Sequence, residues 1–320
     1  MIPKPGGFDG TWPTPASMRA PRSVFHFTDM AGLFGIVENQ ELWASEASGL
    51  NDPSEVTGGL KRIYRWMNRN RSETAVRKVL DVVSRPPEPF GRIYVLSACL
   101  AGDDAGQWRA YGDAGLGCAI ELDTSIPLTV KAQRPLRTHD RWMRLLEDSS
   151  YVTKWTRTIY TDSQLDAVLR GLTAWAEREF NDAERWATQG DDGAAEASVE
   201  RVGDALLAIA ALLKPPGYHG EDEARTVVTL MPRTAHTSFR PAKFGLVQYA
   251  SLAQSETSPG AAIEDNARWT IPIKSVRLGP HASFDLSARS IRDFLDRHEY
   301  EVGEGVPGHV KLRRSRTPMR

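Results

Sequence analysis

The chain reads as an α+β protein: a mixed or antiparallel sheet core, helices grouped around it, and a long helical hairpin inserted between strands. Three observations predict this. Short apolar and β-branched runs recur along the chain, among them Arg92 to Leu100 (RIYVLSACL), Gly117 to Leu122 (GCAIEL) and Thr226-Val227-Val228-Thr229. Two long stretches instead carry apolar residues three and four apart: Leu165, Val168, Leu169, Leu172 and Trp175, then Val199, Val202, Leu206, Ile209 and Leu213. The loop Gly190-Asp191-Asp192-Gly193 separates these stretches, so they predict an antiparallel hairpin over about 163–214.

Each element follows from local pattern. Residues 1–22 predict an irregular, flexible arm. Ser23 to Phe27 is a short strand. Thr28 is the expected N-cap of a helix with Met30, Leu33, Ile36 and Val37 at helical spacing. Gln40 to Ala44 (QELWA) is a second strand. Leu50-Asn51-Asp52-Pro53 is a turn, and Ser54 caps a helix whose apolar face is Val56, Leu60, Ile63 and Met67. Pro86, Pro87 and Pro89 break that region before the RIYVLSACL strand. A Gly/Asp loop and Gln107-Trp108-Arg109-Ala110-Tyr111-Gly112 lead into GCAIEL, whose composition predicts burial on both faces. After the hairpin come short strands at Phe244 to Tyr249, Trp269 to Ile273 and Val276 to Leu278, then a helix over Ser287 to His298. The end, HVKLRRSRTPMR, predicts a strand-like turn into a basic tail over 311–320, which leaves one domain over 23–310.

The totals exclude several function classes. The chain has 320 residues, enough for a sizeable core, and 40 basic against 41 acidic residues, so no global field favours nucleic acid. Cys99 and Cys118 have no second Cys or His at metal-ligand spacing and read as thiols of a reducing compartment. The first residues hold Pro and Gly where a signal peptide needs an apolar core. No apolar run reaches the roughly 20 residues a membrane span requires. A cytoplasmic protein without membrane association is the expectation. No GxGxxG follows a strand, and P-loop, HExxH and GxSxG motifs are missing, which argues against Rossmann hydride transfer, P-loop phosphoryl transfer and common zinc hydrolysis.

The most distinctive stretch is Gly217 to Leu230 (GYHGEDEARTVVTL). Alternation along a strand puts Glu221, Glu223 and Arg225 on one face, with Asp222 and Ala224 on the other. Carboxylates at the mouth of a buried strand are costly unless something pairs or uses them.

Several segments in order resemble the bacterial family known as domain of unknown function 2971: FHFT, LWAS with LNDPSE, LSACL with QWRAYGDAGLGCAIELD, LKPPGYHGEDEAR, SVRLGP and KLRRSRTP. They cover nearly the whole chain after the first twenty residues, and the family name carries no activity. The same segments bear a more distant likeness to ADP-ribosyltransferases of the diphtheria-toxin and poly-ADP-ribose polymerase type. Those enzymes place a His on the first strand, a Tyr in the middle and a Glu on a late strand. FHFT is similar to the opening strand of the toxins that modify DNA bases, although Phe27 stands where a Gly is expected after the His and the helical hairpin is extra. The likeness implies NAD as co-substrate and a toxin or phage-defence role, with nucleic acid or protein as acceptor. It places His26 on the ribose, Tyr111 or Tyr94 on nicotinamide, and Glu223 or Glu221 at the reacting sugar.

The chemistry is consistent with those residue types. A carboxylate such as Glu223 or Glu221 stabilises an oxocarbenium-like sugar, and a neutral His26 hydrogen-bonds a hydroxyl without adding positive charge. Tyr111 or Trp108 offers a flat face, and Arg109 or Arg225 a fork for pyrophosphate. Phe27, Thr28 and Asn51 complete the candidate binding set. Each has a structural alternative: His26 as a core group, Glu223–Arg225 as an ion pair closing the sheet, Trp108 and Tyr111 as core anchors, Asn51 as a turn residue. Two other readings stand beside NAD chemistry. One is a metal-dependent nuclease or hydrolase built on Asp52, Glu55, Glu221 and Glu223. The other is a non-catalytic nucleotide- or partner-binding module with Glu223 neutralised by Arg225.

Overall fold

The computed structural model describes residues 15–47, 55–84, 92–131, 151–230, 237–242, 245–255, 269–306 and 308–318. Its centre is a pair of antiparallel strands, β3 (Arg92–Cys99) and β8 (Glu223–Leu230), in register from Arg92 opposite Leu230 to Cys99 opposite Glu223. Every residue of β8 is buried, which is why Thr226 to Leu230 runs β-branched and apolar without alternation. The outer edge of β8 carries the short strands β6 (Tyr151–Val152) and β7 (Thr156–Arg157).

The other edge of β3 serves two strands at once. Its start pairs with β2 (Leu42–Glu46) through Ser45–Val95 and Glu46–Tyr94, while its end meets β1 (Ser23–Thr28) at the single pair Phe25–Cys99. Two wings diverge from this point. One runs from β2 to β10 (Gly245–Ser255), which also pairs with β5 (Thr129–Val130), β9 (Thr237–Ala242) and β11 (Trp269–Thr270). The other runs from β1 through β4 (Cys118–Asp123) and β12 (Ile273–Leu278) to β13 (Lys311–Arg314). The β12–β13 pairing is parallel, so the sheet is mixed but mostly antiparallel.

Helices cover both faces. On one, α2 (Glu55–Arg69), α3 (Thr74–Ser84), α5 (Asp162–Thr188) and α6 (Asp192–Leu212) enclose Ile93, Val95 and Val227. A Thr161–Gln164 capping box starts α5, and the Asp191 carboxylate accepting from Ala194 N–H starts α6. Leu165, Val168, Leu169 and Leu172 are almost wholly buried, each contributing roughly 1.5–3 kcal/mol of transfer free energy. The α5–α6 hairpin, expected as an insertion, is therefore one wall of the core. On the opposite face, Leu33 and Val37 of α1 (Met30–Asn39) and Ile291 and Leu295 of α7 (Phe284–Arg297) pack with Val24, Leu96, Ile120 and Val228. A third, smaller cluster joins Phe27, Cys99 and Ala119 to Trp108 of α4 (Ala105–Ala110).

Four expectations change at the ends of elements. Asp29, not Thr28, caps α1 by accepting from Gly32 N–H at 2.6 Å; Thr28 stays in the sheet opposite Cys118. Residues 15–22 are not a loose arm, because Met18 is only 2 % exposed and Arg19 bridges to Thr156. The basic tail is anchored in its first half: after β13, the Ser315 hydroxyl, Arg316 N–H and Thr317 hydroxyl all donate to the Asp103 carboxylate. Glu221 is not on β8 but ends a 3₁₀ turn over Pro216–Glu221. Residues 1–14, the turn at Asn51-Asp52-Pro53 with Ser54, and Pro86 to Pro89 lie outside the described residues. Among the described residues no helix is long and apolar enough to cross a membrane.

Candidate active site

Where β1 and β2 part, no strand among the described residues pairs with the edge of β3 between Val95 and Cys99. A cleft of about 870 Å³ opens there, within the roughly 300–1,000 Å³ typical of small-molecule sites. His26 fills part of the gap in pairing: its Nδ1–H donates to the Ser97 carbonyl at 3.2 Å. That bond fixes the proton on Nδ1 and leaves Nε2 as an acceptor in the neutral ring. Burial pulls the His26 pKa below its ordinary value, against the opposing effect of the Ser97 hydrogen bond, so the neutral ring persists at physiological pH.

The acidic wall is set by two helix ends. Gly59 lets α2 lie against α6, since a Cβ there would sit 2.3 Å from the Ala210 carbonyl oxygen. This contact brings Glu55, in the first turn of α2, to the C-terminal end of α6. Arg225 of β8 reaches the same place. Its Nη1 donates to the Ala211 carbonyl at 2.7 Å, satisfying one of the acceptors left open by the last turn of α6. Its Nε and Nη2 grip the two Glu223 oxygens at 3.0 and 3.1 Å, and Nη2 is also 2.8 Å from Glu55 Oε2. Lys214, just past α6, adds a second buried cation 3.0 Å from Glu223 Oε2 and in direct contact with the Glu221 carboxylate.

Burial raises the Glu223 pKa, but Arg225, Lys214 and a Ser97 hydrogen bond more than reverse this, so the carboxyl is held below its ordinary range. Burial works against protonated Lys214 as well, and Glu223 and Glu221 overcome it, leaving its pKa raised. The Glu223 N–H donates to the Tyr160 hydroxyl at 3.1 Å. Between the two acids, Asp222 adopts a left-handed conformation with φ of 40°, an unusual state for a residue with a Cβ. The turn keeps both Glu221 and Glu223 on the cleft although only one is in the strand. Glu55, Glu221 and Glu223 carry three negative charges against two on Lys214 and Arg225, so the ionised group retains one net negative charge.

The expected residues separate cleanly. His26, Phe27, Thr28, Tyr111, Glu221, Glu223 and Arg225 all line the cleft. Tyr111 is 44 % exposed because it ends α4 with a non-helical φ of −133°. Trp108, expected as an alternative platform, is 0 % exposed; it packs edge-on against Phe27 and donates its indole N–H to Asp103, so it is a core anchor. Tyr94 is likewise buried in the core. Arg109 is exposed and does not line the cleft, and Arg225, expected to bind pyrophosphate, is committed to Glu223 and Glu55. Asn51 and Asp52 lie outside the described residues. Lys214, Ser97 and Tyr218, whose ring lies 5.2 Å from the Lys214 ammonium, are cleft residues that the sequence reading did not indicate. Only Lys214 had a usable signal, a Lys at a helix end before Pro215-Pro216. Among the described residues no group of three His, Cys, Asp or Glu side chains is placed to hold a metal ion. Comparison with protein-family models, curated proteins and solved structures returned no significant match.

Proposed function

We propose that the cleft binds NAD and cleaves its nicotinamide–ribose bond, transferring ADP-ribose to an acceptor nucleophile. The supporting observation is the convergence of His26, Tyr111 and Glu223 on one cleft at the parting of β1 and β2. This is the constellation expected from the likeness to ADP-ribosyltransferases. In this reading the bond between nicotinamide N1 and ribose C1′ breaks and its electron pair leaves with neutral nicotinamide. The acceptor's lone pair forms the new bond at C1′, and the acceptor loses a proton. With water as acceptor the products are ADP-ribose, nicotinamide and one proton.

The residues divide this work. Glu223 and its partners present a net negative wall toward developing positive charge on the sugar. Arg225 and Lys214 hold the carboxylate ionised and oriented, which makes them positioning residues. His26 Nε2 accepts a hydrogen bond from a hydroxyl, and Tyr111 offers the face for nicotinamide. The role this suggests is a toxin or defence effector acting on nucleic acid or protein. The metal-hydrolase alternative has less support, because cations already occupy the space between its carboxylates. The binding-module alternative draws on the saturation of Glu223 by Arg225.

The deciding experiment measures nicotinamide released from NAD by the wild-type protein and by Glu223→Gln. Release that falls about 100-fold or more in the variant is the expected result. An NAD-induced rise in melting temperature without release favours the binding module. No release and no rise overturns the reading.

A further inference from the structure

The cleft has a second end whose residues the proposed chemistry leaves unused. It is built by the β2–β10 wing and α1: Trp43, Ser45, Arg240 of β9 and Gly35 all line it. Ser45 is opposite Val95 and Glu223 opposite Cys99. Along β3 the strand positions of Ser45 and Glu223 are therefore about 13 Å apart, too far for one ring system to reach both.

Trp43 is held there as a platform. Its ring packs at a 31° tilt against Tyr249 with centroids 4.4 Å apart, its indole N–H donates to Glu41 at 2.7 Å, and yet it remains 43 % exposed. An aromatic fixed from behind and open in front stacks a base with little loss of side-chain freedom. Arg240 Nη2 donates to the Ser45 hydroxyl at 3.0 Å, which fixes the guanidinium on the cleft wall beside Ser45. A guanidinium held beside Ser45 presents N–H donors in a fork that suits phosphate. Gly35 faces open space, with no atom within 4 Å of the position a Cβ would take. A larger side chain there projects into the cleft without meeting the protein.

We infer that this end is a nucleobase–phosphate subsite, with Trp43 stacking a purine and Arg240 binding the adjacent diphosphate. The cleft thus selects a ligand of dinucleotide length over a mononucleoside. The inference rests on the NAD reading of the same cleft and gives it a second anchor point.

The test is calorimetric titration of ADP-ribose into wild type, Trp43→Ala, Arg240→Gln and Gly35→Leu. Wild type is expected to bind, and Trp43→Ala to bind about 5- to 100-fold more weakly. Arg240→Gln should bind at least tenfold more weakly. Gly35→Leu should lose at least tenfold in affinity with an unchanged or raised melting temperature, because Leu is the better helix former. No ADP-ribose binding by wild type overturns the subsite, as do affinities within twofold of wild type in both Trp43→Ala and Gly35→Leu. The two readings fail separately. Nicotinamide release that Gly35→Leu leaves unchanged removes the subsite and keeps the reaction. ADP-ribose binding abolished by Gly35→Leu in a protein that releases no nicotinamide keeps the subsite and removes the reaction.

Discussion

Glu223 and Asp103 are both carboxylates whose pKa values lie below the ordinary range despite burial, yet they are held by opposite means. Glu223 is surrounded by fixed cations, Arg225 and Lys214, beside an open cleft. Asp103 does not line the cleft, and its partners are mostly uncharged: the Trp108 indole, the hydroxyls of Ser315 and Thr317, and the Arg316 N–H, with Arg277 at 3.3 Å. Four uncharged donors around one acceptor complete a joint and leave no capacity over. Cations shared among three carboxylates leave a residual charge, which is useful only if something enters. Asp204, on the helix that delivers Lys214, shows the case without a cation: burial, with some repulsion from Glu200, pushes its pKa up to about 6.

Removing a cation from the cleft should give the largest effect. Arg225→Met leaves Glu223 and Glu55 buried with Lys214 alone, and urea unfolding is expected to show a loss of about 3–5 kcal/mol. Adding Glu223→Leu to that variant should restore much of the loss, because the buried charge goes with its partner. A double variant as unstable as the single one would contradict the account of the network. Next comes Asp103→Ala, expected to cost about 2–3 kcal/mol by stranding several donors, while any NAD-induced rise in melting temperature stays as in wild type. A lost ligand response there would erase the distinction between joint and site.

The smallest effect is a gain. Asp204→Asn should stabilise the protein near neutral pH by on the order of 1–2 kcal/mol after allowance for solvent screening. The signs can be worked out. The native state keeps the Asp204 proton between the unfolded value of 3.8 and about 6, so its contribution falls as pH rises through that window. Asp103 behaves in reverse: its contribution is present above 3.8 and is lost as pH falls through its lower native value. Denaturation midpoints measured from pH 3 to 7 should therefore rise more steeply across the upper window in Asp204→Asn than in wild type. Parallel profiles would reject the assignment.

Much of the fold was legible because periodicity reports burial directly. The β1, β3 and β4 runs and the α5–α6 hairpin sit where their patterns placed them. The errors arose where two neighbouring residues were equally suited to one task. Thr28 and Asp29 can both cap, and strand pairing to Cys118 decided between them. Trp108 and Tyr111 stand three apart, and the early end of α4 turned one into the core and the other onto the cleft. Glu221 left the strand because Asp222 takes a positive φ that no alternation rule anticipates. Arg240 comes to the cleft through the pairing of β9 with β10 and of β10 with β2, which local sequence does not encode.

The pairing of Cys99 with Glu223 also bears on how the chain acquires its cleft during folding. The α5–α6 hairpin depends on contacts close in sequence and can form early, whereas β8 finds β3 only after closing a loop that contains the whole hairpin. Arg225 and Glu223 arrive with that closure, and Lys214 and Glu55 have no complete set of partners before it. A nascent or partly unfolded chain therefore contains secondary structure but no assembled cleft, so any activity should switch on late and as a single step in refolding.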